Sequence, residues 1–432
     1  MTFWRFVSLL VPAALSVYFW VGTPYVPLHG DEPTQMYMGR DAYYLFVTQD
    51  LARVRYNSNT PEPDQQELRL LNGTLPKYLI GIGMIQMGYT LDTWQKPYDW
   101  GADFAWNQAN GHIPPAERLA ALRYPHTALT IAALWGVYGL GWLTGGAGAA
   151  ALAALAFGSN PAVLLDGRRL MMEAAVLAFG VWAVVAALEL MRALTRPKQP
   201  RWGLPLALAF GALCGLAAAS KHTALFTVGA LWLALSGGLV WRIARISRGD
   251  WPRWLICGMA ALGLMLGIFY ALNPAWWGDP LARAQTVLRL RQDLLRGQVA
   301  FFGGYTDFID QTGGFFRQAF VVQPQYYQVV DWAEPLAESI RAYEDGGFAG
   351  LSMGTVGGLV WLGACLVGAV ALTRRGADGA LLLVWGAAVV GLTWFITPLE
   401  WQRYYLPIYP WLAVVGALGT VQTAQSLMRR RR

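Results

Sequence analysis

Residues 28–46 read LHGDEPTQMYMGRDAYYLF: two adjacent acids, Asp31 and Glu32, stand directly after an apolar run and directly before a proline. The run behind them, FWRFVSLLVPAALSVYFWV, has the length that a bilayer's hydrocarbon core asks of a helix, about 20 residues. It starts basic and turns apolar, yet it ends in TPYVPLHG rather than in the small residues of a cleavage site, so it is expected to stay as an anchor helix. Ahead of the acids, Met36, Tyr43, Val47, Leu51 and Val54 recur at helical spacing, while Asp41, Thr48 and Arg55 fall on another side. This predicts a helix over 33–55, with Pro33 in its first turn, lying flat on the membrane surface. Asp31 and Glu32 then sit at a helix N-terminus, whose partial positive charge favours ionised carboxylates. The plainest role for them there is a solvated cap.

The rest of the chain repeats the apolar pattern. Of 432 residues, 55% are hydrophobic and only 14% charged, with mean hydropathy +0.34. An average soluble protein is roughly 25% charged. Ten membrane spans are expected, at about 3–23, 119–142, 146–165, 170–192, 203–219, 222–241, 254–273, 350–373, 379–397 and 404–424. The fold class is therefore an all-α polytopic membrane protein. Its 21 Trp and 19 Tyr suit the membrane–water boundary. Cys214, Cys257 and Cys365 lie singly in apolar segments and read as core filler rather than as a redox or metal pair. Gly136, Gly139, Gly141, Gly145, Gly146, Gly354, Gly357 and Gly358 read as close-packing positions between helices.

Charge sets the sidedness. With the N-terminus inside, the inner segments hold Arg5, Arg192, Arg196, Lys198, Arg201, Arg242, Arg245, Arg248, Arg253, Arg374, Arg375 and the run Arg429–Arg432, against few acids. The positive-inside rule then predicts both termini in the cytoplasm of a multi-pass plasma (inner) membrane protein. The terminal arginines read as an anchor on anionic lipid, and nucleic acid is not expected as a partner. Two long connections, at about 24–118 and 274–349, fall outside, together with Asp31 and Glu32.

In the first connection, NSNTPEPDQQ is polar and turn-rich, Asn72-Gly73-Thr74 reads as a turn rather than as a glycosylation site, and 75–89 is a helix too short to span. In the second, Arg283, Arg289, Arg291 and Arg296 alternate with apolar residues in a helical pattern before an aromatic stretch, as in a lid or a peripheral packing unit.

The outer face also gathers Arg123, Arg168, Arg169, Lys221 and Arg403 at helix ends. Cations half sunk at a membrane boundary are costly and tend to be functional, and arginines fork onto phosphate oxygens. One carboxylate beside a cationic site that opens to lipid suits sugar transfer from a lipid phosphate, since nucleotide sugars are not at hand outside. The competing reading is a polytopic transporter or lipid flippase. Such proteins place binding groups near the midplane in related halves, and neither a repeat nor a midplane charge cluster is visible.

At these residues the chain resembles the GT-C integral-membrane glycosyltransferases of the protein O-mannosyltransferase and aminoarabinose-transferase type. HGDEPTQMYMGRDAYYLF is similar to their first outer loop with its DE pair. NGTLPKYLIGIG is similar to a later HPPL-GK element, with Gly73 and Thr74 in place of the His and first Pro. LRYPHTALTIAALWGVYGL, GLAAASKHTALF and WQRYYLPIYPWLAVV are similar to the elements around the family's second-span arginine, a mid-chain lysine and the closing span. The loop 274–349 follows the family only in its NPxWxxDP opening.

The resemblance implies a catalytic membrane module at 1–273 with its long first loop at 24–118, an outer loop or lid at 274–349, and C-terminal spans at 350–432. It implies an inverting transfer from a polyprenyl-phosphate-linked sugar to an acceptor hydroxyl on protein, lipid or glycan. Asp31 would be the base, and Glu32 would support it or hold acceptor. Lys77, Arg123, Lys221, Arg403 and Tyr404 would sit near the donor phosphate or the carboxylates. Arg168 and Arg169 are candidates from topology alone and could equally pair with Glu173 at the interface. His29 and His222 are candidates for sugar hydroxyls or a metal. A divalent cation is left open, with Asp31 as its ligand if there is one.

Overall fold

The computed structural model describes residues 2–57, 59, 63–195, 203–245 and 251–430. Arg196, Lys198, Arg201, Arg248, Arg431 and Arg432, which entered the charge argument, lie outside them. Every regular element among the described residues is helical. The principal helices are α1 (Thr2–Gly22), α2 (Asp31–Met38), α3 (Arg40–Phe46), α4 (Pro63–Leu71), α5 (Thr74–Gln86), α6 (Ala116–Gly158), α7 (Pro161–Asp166), α8 (Glu173–Thr195) and α9 (Gly203–Ser220). They continue as α10 (Ala224–Arg245), α11 (Trp251–Leu272), α12 (Pro280–Phe302), α13 (Phe308–Phe316), α14 (Ala333–Asp345), α15 (Gly354–Thr373), α16 (Gly376–Ile396) and α17 (Tyr409–Arg430).

Nine described segments are long and apolar enough to cross a membrane, one of them the 43 residues of α6. Gly146 breaks α6 with φ 76°, in the left-handed region where a residue without Cβ is at ease. The chain doubles back there: a Cβ on Gly141 would lie 2.8 Å from the Cα of Ala150, although nine residues of straight helix would span about 13 Å. The expected second and third spans are thus the two arms of one hairpin, with α7 completing the returning arm. Arg192 at the far end of α8 donates to the Leu143 carbonyl beside this bend (2.9 Å), while Arg123 lies at the opposite end beside Glu32. The helices pack through small residues, which let backbones approach where water supplies no drive between them. Gly368 and Gly419 of α15 and α17 abut Val415 and Ala364, and Gly211 of α9 abuts Ala261 of α11. Gly136 and Gly358 are close-packed as expected, but Gly139 and Gly354 face open space. The three cysteines are free and buried.

The helix expected over 33–55 is broken into α2, α3 and a single turn at Leu51–Val54. The reason is contact with α5. Gly39, between α2 and α3, meets Gly81 so closely that a Cβ on Gly81 would overlap the Gly39 carbonyl. The chain bends round α5, and Asp41, expected on the wet face, is turned inward and buried. As expected, α5 is too short to span; it lies among α2, α3 and α9.

Candidate active site at the Asp31 end of the bundle

Asp31 and Glu32 open α2, and Gly30 before them supplies no side-chain cap. Neighbouring helical positions point about 100° apart, so the two acids meet different surroundings. Glu32 is fully buried. Arg123 grips it with both arms of its fork, Nε to Oε1 at 2.8 Å and Nη2 to Oε2 at 2.6 Å, and the amides of Leu170 (2.7 Å) and His29 (3.0 Å) donate to it as well. Burial pushes its carboxyl up, but Arg123, these hydrogen bonds and Arg169 outweigh that and hold it below the usual carboxylate range. Glu32 therefore ties the first loop to α6 and to the 167–172 turn.

Asp31 is different. Its side chain is 27% exposed and forms an ion pair with Arg403. Its backbone N–H donates to Nδ1 of His29 (3.1 Å), which requires that ring nitrogen to be unprotonated. His29 is buried, and burial, reinforced by Arg169 and Arg403, holds its pKa well below the ordinary histidine value. Aromatic rings wall this corner. Trp100 and Trp332 stack at 5.5 Å, Trp100 meets Phe302 at 6.0 Å, Phe302 meets Trp401 at 5.0 Å, and the Arg403 guanidinium stands 4.9 Å from the Trp401 ring centre. The first loop, the end of α12 and the 397–408 segment thus converge beside Asp31.

Arg403 also lines a cleft with about 1020 Å³ of free space, bounded by α8, α10, α12, α16 and the 397–407 segment. One end carries Lys221, Glu173, Arg291, Arg403 and Tyr404; the walls are Val176, Leu177, Phe226, Leu295, Val389, Leu392, Ile396 and Leu406. The Lys221 ammonium contacts Glu173 at 2.6 Å and lies 5.8 Å from the Tyr404 ring centre, which Arg403 approaches to 5.4 Å. Three cations against one acid at the polar end, with hydrocarbon walls behind, match an anionic head on an apolar chain. Burial lowers the Arg291 pKa.

Of the cations expected near a donor phosphate, Lys221 and Arg403 line the cleft, with Tyr404. Arg123 is committed to Glu32. Lys77 is buried at 3.4 Å from Asp41, which Arg69 also holds at 2.8 Å; burial lowers the Lys77 pKa despite that partner. Arg168 is fully buried and donates to the carbonyls of Tyr18 (2.7 Å), Phe19 (3.1 Å) and Phe348 (3.0 Å) and to the Tyr343 hydroxyl (2.9 Å), fastening α1 to α14 and the segment after it. Arg169 pairs with Asp166 at 2.9 Å rather than with Glu173, and donates to the Tyr326 carbonyl at 2.7 Å. His222 packs edge-on against Trp276 (5.7 Å), and burial holds its pKa down to about 4. Among the described residues no three His, Cys, Asp or Glu side chains cluster as a metal site would require, and the neighbour of Asp31 is a guanidinium.

Two members of this region were not singled out as site residues. Arg291 sits on α12 between Val287 and Leu295 at spacings of four, so an arginine on an otherwise apolar stripe was the available signal. Gln402 has no sequence signal. It is 1% exposed, its N–H donates to Oε1 of Gln325 (2.7 Å), and its amide donates to the Gln323 carbonyl (2.7 Å).

No protein-family model matches the sequence, and no curated protein matches it. Its fold, however, is similar to that of solved GT-C membrane glycosyltransferases. The chain is similar over 95% of its length to ArnT from Cupriavidus metallidurans bound to undecaprenyl phosphate (TM-score 0.51, 14% identity). It is similar over 100% of its length to the oligosaccharyltransferase AglB from Archaeoglobus fulgidus in complex with an inhibitory peptide and a dolichol-phosphate (TM-score 0.54, 14% identity). It spans 59% and 51% of those two proteins.

Proposed function

We propose that this protein is a glycosyltransferase that moves a sugar from a polyprenyl-phosphate-linked donor to an acceptor hydroxyl at the outer face of the membrane, with inversion and with Asp31 as base. The observation that carries the reading is the placement of a partly exposed carboxylate one arginine away from a cationic, hydrocarbon-walled cleft. The fold supports the class, since its likenesses include proteins bound to undecaprenyl phosphate and dolichol-phosphate.

In this reading the polyprenyl chain lies along Val176, Phe226, Val389 and Ile396, and the phosphate meets Lys221, Arg291 and Arg403. The sugar then projects toward Asp31. The acceptor oxygen bonds to the anomeric carbon as the bond from that carbon to the phosphate oxygen breaks, its electron pair going to the phosphate. The cations stabilise the charge growing there. Asp31 takes the hydroxyl proton late, when the oxygen is already acidified by bonding to carbon. His29 and Glu32 set the position of Asp31. The charge pattern supports N- and C-termini in the cytoplasm and the site on the far side.

The test is transfer of labelled sugar in membranes supplied with a polyprenyl-phosphate-linked donor. Asp31→Asn is expected to lower transfer by about 10²- to 10⁴-fold, the usual worth of a general base, with no loss of donor binding. Full transfer by that variant removes Asp31 as the base.

A further inference from the structure

Arg403 belongs to both halves of the site. One of its terminal nitrogens pairs with Asp31, and the residue also lines the cleft beside Lys221 and Arg291. Among the described residues its Nε is buried with no hydrogen-bond partner, an uncommon state for a guanidinium nitrogen among closely packed groups. The backbone under it is held. Gln402 and Gln325 exchange amide hydrogen bonds at 2.7 and 3.1 Å, and Gln402 further donates to Gln323. The loop is thus pinned while the arginine side chain borders both Asp31 and the cleft.

Resting on the donor-phosphate reading above, we propose that Arg403 couples donor binding to release of the base. Without donor, its guanidinium neutralises Asp31. A phosphate arriving in the cleft competes for the same guanidinium, draws it away and leaves the carboxylate free to accept a proton. The pull strengthens during the reaction. The bound phosphodiester carries one negative charge, and the departing phosphate gains the electron pair of the broken bond as the hydroxyl proton reaches Asp31. Donor therefore has to bind before an acceptor hydroxyl is activated. Coupling between ligand and carboxylate is reciprocal, so whatever phosphate does to Asp31, Asp31 does to phosphate.

That reciprocity gives a test that does not rely on turnover. Binding of a polyprenyl monophosphate to the purified full-length protein in detergent is measured for wild type, Asp31→Asn, Arg403→Gln and the double variant, with the uncharged polyprenol as control ligand. Asp31→Asn is expected to bind the phosphate about 5-fold or more tightly than wild type, within the usual range of site coupling. Arg403→Gln is expected to bind it more weakly, and the gain from Asp31→Asn should vanish in the Arg403→Gln background. Polyprenol binding should not respond. Arg403→Lys, which keeps the charge but lacks the fork, provides the same cycle if the Gln variant does not fold. Equal affinity of wild type and Asp31→Asn overturns the coupling while leaving the donor reading standing. Absence of phosphate-dependent binding by wild type overturns both.

Discussion

Glu32 and Asp31 are chain neighbours with the same charge, and each meets one arginine, yet the two pairs serve different ends. The Glu32–Arg123 pair is dry, bidentate and saturated by two backbone amides. The Asp31–Arg403 pair sits at the edge of a cleft, with the carboxylate 27% exposed and one guanidinium nitrogen without a partner among the described residues. A buried pair with every lone pair satisfied holds structure together, because releasing either partner strands a charge in a poor solvent. A pair with access to a ligand can exchange partners. One helix turn places the two side by side, so the rigid pair fixes the position of the reactive one.

The comparison can be broken first at its rigid half. Glu32→Ala leaves Arg123 buried without its anion and is expected to cost about 3–5 kcal/mol, read as a large fall in unfolding temperature or in yield of folded protein. A variant as stable as wild type would show that the pair is not what anchors the first loop. Asp31→Asn makes the contrast, since its loss is expected in transfer while the unfolding temperature stays close to that of wild type.

His29 links the two pairs and sharpens the comparison through pH. Its folded pKa lies below the unfolded value of about 6.5, so the folded state binds fewer protons than the unfolded chain in that window. Its contribution to stability is complete above that value and is lost as pH falls through and below it. The unfolding temperature should drop on acidification below about 6.5, and less steeply in His29→Asn, whose carbonyl can accept the Asp31 N–H without titrating. An identical slope in the variant would place the acid sensitivity elsewhere.

The smallest effect is expected at the wet periphery. Arg317 and Glu400 form a forked pair at 2.9 and 2.5 Å, but the Arg317 side chain is 53% exposed. Arg317→Ala should change stability by no more than about 1 kcal/mol, checked in the same unfolding assay. A larger loss would mean that this pair belongs with the rigid class.

Much of the architecture was legible in the chain. Spans follow from runs of apolar residues, which are sums over local stretches that need no partner to be named. Hence the expected ends of α8, α9 and α11 lie within a few residues of the observed ones. Local periodicity failed where another segment intervened: 33–55 was broken because Gly39 abuts Gly81 on α5, and Asp41 was drawn inward by Arg69 and Lys77. Among the cations, residue type and membrane depth marked Arg123, Arg168, Arg169, Lys221 and Arg403 as unusual, but could not divide those that grip protein carbonyls and carboxylates from those that face the cleft.

The amino-acid sequence by itself determined that this is a polytopic helical membrane protein whose conspicuous charges gather at one end, because hydropathy and charge act residue by residue. Only the tertiary structure decided that Asp31 shares an arginine with a hydrocarbon-walled cleft while Glu32 is sealed against Arg123. Those partners are remote in sequence, and which ion meets which depends on how helices pack across the bundle, a property that no local stretch of the chain contains.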